Sequence, residues 1–231
     1  RARLDPWWDQ LHRWQRDSPL GYDDSEDSEI KPQAMVEAMY RATEGDAIIT
    51  SDVGQHQMWA AQYYHFTKPR RWINSGGLGT MGFGLPSAIG AKVANPDEQV
   101  VCLAGDGSLI MTCQELATAV RHQIPVKVFL MNNGYFGMVR QWQELFWEGR
   151  YSAVEMGPSP DWAKLADAFG AKGLMVDDKN EVEGAMRDAL ATEGPVLLDV
   201  RVTQAENCYP MIPAGSAARD MVGGPEPAPK G

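Results

Sequence analysis

The chain is short of cysteine, of long apolar runs and of positive charge, and each scarcity removes a class of function. Cys102, Cys113 and Cys208 are the only cysteines in 231 residues. Odd in number and without the paired spacing of a metal knuckle or a disulfide framework, they read as core filler in a reducing compartment. The longest apolar stretches, such as Val126 to Met131, broken by Lys127, fall far short of the roughly 20 residues that a membrane-spanning helix needs. Lys and Arg number 21 against 31 Asp and Glu, a net charge of −10, so no nucleic-acid partner is expected and no membrane. Internal repeats and long low-complexity tracts are absent too. There is no initiator Met and no signal-like start, because Arg1 to Asp9 is charged and Trp-rich; the chain reads as a piece of a longer polypeptide.

What is present suffices for a substantial core, with 44% apolar residues. Residues 1–29 form a first unit. Leu4, Trp7, Trp8, Leu11 and Trp14 fall at helical spacing, with Asp5 as N-cap and Pro6 at the first helical position, and their aromatic stripe is expected to pack on a neighbouring domain. An acidic linker, Ser18 to Glu29, follows. In residues 30–205 helix and strand signals alternate. Helices are predicted at Pro32–Thr43, Leu85–Val93, Cys113–Arg121, Met138–Phe146, Trp162–Phe169 and Glu181–Ala191. Strands are predicted at Ala47–Ser51, Val100–Ala104, Val126–Met131, Leu174–Val176 and Val196–Val202. Apolar strands without hairpin signals predict an α/β fold, a parallel sheet with helices on both faces. Thr112 with Glu115 and Asp178 with Glu181 fit capping boxes. Residues 206–231 make a C-terminal lid segment and a disordered tail from Gly223 onward.

Ligands of such a sheet sit at the carboxyl ends of its strands. Gly105-Asp106-Gly107-Ser108 follows one predicted strand and Asn132-Asn133-Gly134 the next, and the 27 residues from Asp106 to Asn133 are the length of one loop, helix and strand. A carboxylate and an amide oxygen are too few for a protein-only calcium cage but suit Mg²⁺, which retains water and takes phosphate oxygens. Gly107 would allow close backbone approach, and Ser108 offers a hydroxyl and an N–H near a helix start. Gly77 to Gly82 spells G-x-G-x-x-G with Asp97 beyond it. A dinucleotide fingerprint fits poorly, because Arg70 to Asn74 makes a poor buried strand; a backbone passing close to a flat ligand, with Met81 as its bulky apolar side chain, fits better. His12, His65 and His122 read as surface or loop residues, Asp52 as an N-cap after a strand, and Pro210 to Pro213 equally as a lid or a surface strap.

Together with Ser51-Asp52-Val53-Gly54-Gln55-His56-Gln57-Met58-Trp59, SGGLGTMGFGLPSAIGA from Ser75 and Gly137-Met138-Val139-Arg140-Gln141-Trp142-Gln143, the GDGS and NN motifs resemble the C-terminal domain of acetolactate synthase (acetohydroxyacid synthase) catalytic subunits, from about residue 30 to Pro213. The resemblance implies thiamine diphosphate held through Mg²⁺ by Asp106, Asn133 and the carbonyl of Tyr135. It implies Val53, Gly54, Gln55, His56, Gly107, Ser108, Phe136 and Gly137 around the diphosphate and thiazolium. Gly79 and Met81 would meet the aminopyrimidine, Met81 propping the bent cofactor, while Met138 and Trp142 would face the reacting centre. The implied reaction condenses two pyruvates, or pyruvate and 2-oxobutanoate, with loss of CO₂, in branched-chain amino acid biosynthesis. FAD and the catalytic glutamate would belong to upstream domains, so this stretch alone would be inactive. Homodimers or higher oligomers, a small regulatory subunit, and a cytoplasmic or organellar location are implied as well. Glyoxylate carboligase, a 2-oxo acid decarboxylase and a non-catalytic assembly domain are the alternatives.

Overall fold

A computed structural model describes residues 4–25 and 29–223. Six strands, β1 (Ile48–Ser51), β2 (Trp72–Asn74), β3 (Val100–Gly105), β4 (Lys127–Asn132), β5 (Lys172–Val176) and β6 (Val196–Arg201), form one sheet in the order β2-β1-β3-β4-β6-β5. Every pairing in it is parallel. The helices are α1 (Asp5–Asp17), α2 (Pro32–Ala42), α3 (Gln55–Tyr63), α4 (Gly84–Ala94), α5 (Asp106–Leu109), α6 (Glu115–Arg121), α7 (Gly137–Phe146), α8 (Trp162–Phe169) and α9 (Val182–Ala191).

Side chains alternate between the faces of a strand, so a parallel sheet covered on both sides is apolar along most of each central strand. Ile49, Val101, Leu103, Phe129, Met131, Leu198 and Val200 pack on one face against α2, α3 and α9. Ile48, Val100, Cys102, Ala104, Val128, Leu130 and Leu197 pack on the other against α4, α6 and α8. The expected α/β architecture is the one found. Along the sheet Leu103 lies opposite both Ser51 and Phe129, which aligns the carboxyl ends of β1, β3 and β4. From β1 the chain runs outward to β2, and from β3 it runs the other way to β4, so the crevice between β1 and β3 is a topological switch point.

Several local expectations need correction. Helix α3 and the short α5 were not anticipated, since the glycine and the polar residues at their starts obscure the helical period. Arg70 to Asn74 does contain a strand: β2 is an edge strand, only half buried, which is why it lacks the apolar run of a central one. Neither capping box forms. The Thr112 hydroxyl donates instead to the Gly82 carbonyl, and Asp178 accepts from Asn180. Among the described α-helices a side-chain cap forms at Asp161, which accepts the Lys164 N–H at the start of α8. On α1 the N-cap is Leu4, Asp5 lies inside the helix, and no residue of α1 is buried. The three histidines His12, His65 and His122 are exposed as expected. The expected disorder after Gly223 falls on residues 224–231, outside the described residues, as do residues 26–28 of the linker.

Two glycines should respond to alanine with opposite signs. A Cβ on Gly173, in β5, would overlap the Ala163 backbone of α8, whereas one on Gly184, exposed in α9, meets nothing within 4 Å. Urea denaturation should show Gly173→Ala destabilised by about 1–3 kcal/mol through overpacking. Gly184→Ala should be stabilised by about 0.5–1 kcal/mol through helix propensity. Equal effects would contradict the packing of α8 on β5.

Candidate functional site

Three loops meet at the switch point, and two buried carboxylates join them. Asp52, just past β1, accepts the N–H groups of Val53, Gly82 and Gly84 at 2.9, 2.8 and 3.3 Å. It therefore pins the glycine-rich loop before α4 and does not cap the helix that follows its own strand. Asp106, just past β3, accepts from Gly107 at 2.9 Å and from Gly134, just past β4, at 2.7 Å. Burial raises both carboxyl pKa values, that of Asp106 to about 6, while these N–H groups hold them down. Ser108 reaches across to donate to the Val53 carbonyl at 2.9 Å, closing the third side.

The two asparagines after β4 diverge. Asn132 turns under the sheet end, donating to Asp199 at 2.8 Å in a buried pair that also engages Arg201. Asn133 lies on the open side, its carbonyl oxygen accepting the Tyr135 N–H at 3.1 Å. Beyond it Tyr135 bridges Glu155 in an antiparallel contact that uses the Gly134 carbonyl and the Phe136 N–H, so the Tyr135 carbonyl takes no part in it. A Cβ on Gly107 would lie 2.8 Å from the Phe136 ring, and glycine there lets the ring close over the loop.

A cleft of about 210 Å³ opens between these loops. Val53, Gly54, Gln55 and His56 line it from the β1 end and α3. Gly79 and Met81 come from the glycine-rich loop, and Asp106, Gly107 and Ser108 from the β3 end. Asn133, Tyr135, Phe136, Gly137, Met138 and Trp142 come from the β4 end and α7. All fifteen residues singled out in the sequence thus border one space. Sequence reasoning missed Trp59, Gly105, Met131 and Val139, which border it too. Trp59 follows Gln55 by four positions on α3, a helical spacing that goes unseen unless α3 is recognised.

The lining is unfinished as protein chemistry. Four buried side-chain polar atoms lack a partner among the described residues, and three of them, Gln55 Oε1, His56 Nε2 and Trp59 Nε1, belong to residues of this cleft. Buried polar groups are normally satisfied, so the site calls for a polar ligand. No group of three or more His, Cys, Asp or Glu side chains suited to a metal occurs among the described residues. A cation here would need, besides the Asp106 carboxylate, oxygens from asparagine, from the backbone and from the ligand itself, a donor set that suits Mg²⁺ with phosphate.

Comparison with known proteins agrees with this geometry. A family described as thiamine pyrophosphate enzyme, C-terminal TPP binding domain, matches residues 52–200. The chain belongs to that family. Among curated relatives, the acetolactate synthase isozyme 3 large subunit of Escherichia coli is 49% identical over 218 residues, covering 93% of this chain and 38% of the relative. The acetolactate synthase large subunit of Haemophilus influenzae is 46% identical over 95% of this chain and 38% of its own length. Acetolactate synthase 1, chloroplastic, of Zea mays is 46% identical over 94% and 35%. The chain therefore spans a little over a third of the relatives it matches. As a TPP binding domain it has a thiamine diphosphate site, and among the described residues no helix is long and apolar enough to cross a membrane.

His56 supplies a pH test of the site's packing. Burial lowers its pKa from 6.5 to about 4, partly opposed by a hydrogen bond to the Asp52 backbone. The folded state keeps this ring neutral while the unfolded chain takes up a proton. Its contribution is therefore complete above pH 6.5 and is lost as pH falls toward 4. The loss across that window should reach roughly 3 kcal/mol at most. Chemical denaturation of His56→Leu at a series of pH values should show a shallower acid-side fall than the unsubstituted chain. An unchanged slope would place the ring in contact with solvent.

Proposed function

We propose that this chain is the thiamine diphosphate and Mg²⁺ holding portion of an acetolactate synthase large subunit, the enzyme that joins two pyruvates, or pyruvate and 2-oxobutanoate, with release of CO₂. The observation that carries the reading is the pair Asp106 and Asn133 at neighbouring strand ends, bordering a cleft whose buried polar atoms want a ligand. The resemblance of the chain to acetolactate synthase large subunits over nine-tenths of its length supports it.

On this reading Asp106, Asn133 and the Tyr135 carbonyl hold Mg²⁺. An anionic diphosphate beside the Asp106 carboxylate would be repelled without a cation between them. The Gly107 and Ser108 backbone, with Val53, Gly54, Gln55, His56, Phe136 and Gly137, receives the diphosphate and thiazolium. Gly79 and Met81 meet the aminopyrimidine through their backbone, and the Met81 side chain sets the bend between the rings. When bound, thiamine diphosphate supplies the electron sink for decarboxylating one 2-oxo acid and adding the remainder to another. Met138 and Trp142 stand where the second acid must enter, so their work is to orient it and to exclude water.

A cleft of about 210 Å³ lies below the roughly 300–1,000 Å³ of a self-contained small-molecule site, and its rim is open and apolar at Val139 and Trp142, which is 44% exposed. Those features support a site completed by another surface. That surface would come from a second copy of the longer chain, whose upstream domains carry FAD and the glutamate facing the ring nitrogen. A small regulatory subunit and a cytoplasmic or organellar setting belong to the same proposal, with residues 1–29 as the connection from those domains, 30–205 as the cofactor domain and 206–231 as its lid and tail.

Joining the chain to the upstream two-thirds of the Escherichia coli relative tests the reading. The joined protein should form acetolactate from pyruvate, and residues 1–231 alone should not, since proton transfer by a positioned acid contributes about 10²–10⁴-fold and the wall of the site is missing. In the joined protein Trp142→Leu should change the ratio of acetohydroxybutyrate to acetolactate under competition more than it slows CO₂ release. Robust turnover by residues 1–231 alone would place the catalytic acid within this chain and contradict the proposed division of labour.

A further inference from the structure

Thr112 does not border the cleft, yet one hydrogen bond ties it to a residue that adjoins the lining. Its hydroxyl donates to the Gly82 carbonyl at 3.0 Å, across 30 residues of sequence. That carbonyl has a local reason to need a donor. Gly82 lies just before α4, and the residue four positions on, whose N–H would close a helical bond to it, is Pro86, which has none. Gly82 has φ +86°, and a Cβ there would lie 2.8 Å from Thr112 Cγ2, so glycine is what lets the two segments approach this closely. The N–H of the same residue donates to Asp52 at 2.8 Å. Gly82 is thus held on one side from the end of β1 and on the other from the segment that follows β3.

Both ends of the Thr112 bond lead to residues of the cleft. On one side, Met81 borders the cleft and immediately precedes Gly82. On the other, Thr112 follows Asp106 along a stretch wound without a break: after α5 begins at Asp106, the N–H groups of Ile110, Met111 and Thr112 donate to the Asp106, Ser108 and Leu109 carbonyls. The first half of the glycine-rich loop is held by its own turn, in which the Gly79 and Thr80 N–H groups donate to the Ser75 carbonyl and hydroxyl at 2.9 and 3.0 Å. Its second half is held by other segments. Asp52 ties it to β1, and Thr112 ties it to the stretch that bears Asp106.

We propose that Thr112 is a positioning residue that fixes the separation between Asp106 and Met81 across the cleft, acting through Gly82. The inference rests on the thiamine diphosphate and Mg²⁺ reading above, in which Asp106 holds the cation and Met81 sets the bend between the rings, and adds to it a residue that touches neither group. A ligand gripped at both ends keeps its shape only while the two grips keep their distance. Without the hydroxyl, the Gly82 carbonyl loses its donor and Asp52 alone restrains Gly82 from the sheet. The diphosphate end is untouched. The loss is therefore felt in how the bound rings are oriented and little in how tightly the cofactor is held.

The test uses the chain joined to its upstream domains, with three readouts: affinity for thiamine diphosphate in Mg²⁺ by calorimetry, exchange of the bound cofactor's thiazolium C2 proton for deuterium by NMR, and amide hydrogen exchange at 81–84 without cofactor. Thr112→Val keeps the shape and the methyl group against Gly82 and removes only the donor. It should slow C2 exchange about tenfold, the upper range for one hydrogen bond, keep affinity within about threefold, and speed amide exchange at 81–84. Thr112→Ser keeps the donor and should leave all three readouts near those of the unsubstituted protein, a rescue that a purely packing role would not give. Should the valine variant fold poorly, Thr112→Ala against Thr112→Ser makes the same comparison, slow against normal. Normal C2 exchange in a folded Thr112→Val protein, slowed C2 exchange in Thr112→Ser, or a loss of affinity as large as the loss of exchange rate would overturn the inference and leave the cofactor reading intact. Failure of the unsubstituted protein to bind the cofactor at all would overturn that reading and the inference with it.

Discussion

The site depends on two carboxylates, Asp52 and Asp106, buried at the ends of adjacent strands and each satisfied in part by backbone N–H groups of a loop other than its own. Burying an ionised carboxylate is costly unless hydrogen bonds replace its water. Here the replacements come from Gly82 and Gly84 for Asp52 and from Gly134 for Asp106. Each carboxylate can be ionised only if the loops are where they are. The register of β1, β3 and β4, set by the apolar faces of the sheet, brings the strand ends level, and the carboxylates then draw the loops together above them. A fold stabilised by non-directional burial is in this way converted into a directional site.

The division of roles around the cleft follows from the same arrangement. At the strand ends the cleft is bordered by Asp106 and Asn133, with the unpaired atoms of Gln55 and His56 buried in the wall behind. Its rim is apolar, with Met81, Met138, Val139 and Trp142. The proposed ligand has the same polarity, a charged diphosphate with its cation at one end and flat rings at the other. Beneath the rim, α7 carries Met138 and Trp142 on the cleft side, while Arg140 and Gln141 on its buried side hold residues 205–208. One helix thus faces both the reacting end of the site and the C-terminal segment.

Much of this was legible in the sequence, and the exceptions have physical causes. The central strands and their flanking helices were readable because uninterrupted apolar runs leave few alternatives. Asp106 and Asn133 were readable because 27 residues allow a crossover to the next strand. Helix α3 was hidden: Gln55, His56 and Gln57 open it with polar residues, the first two buried by contacts with distant segments that no local pattern shows, and Trp59 was lost with it. The capping boxes at Thr112 and Asp178 failed for different reasons: Thr112 found Gly82, 30 residues away, and Asp178 was taken by a tight turn with Asn180 before the helix starts. The role of Asp52 as a pin and the grip of Gln141 on Cys208 are contacts between segments far apart in the chain, and no local motif signals either.

The central claim is that Asp106 and Asn133 place a divalent cation against the diphosphate of thiamine diphosphate. Substituting Mn²⁺ for Mg²⁺ and measuring paramagnetic relaxation of the cofactor's ³¹P nuclei, in the protein joined to its upstream domains, addresses this directly. The account predicts strong relaxation of both phosphorus resonances in the unsubstituted protein and its loss in Asp106→Asn at the same metal and cofactor concentrations. Equal relaxation in the two proteins would put the cation elsewhere and contradict the account.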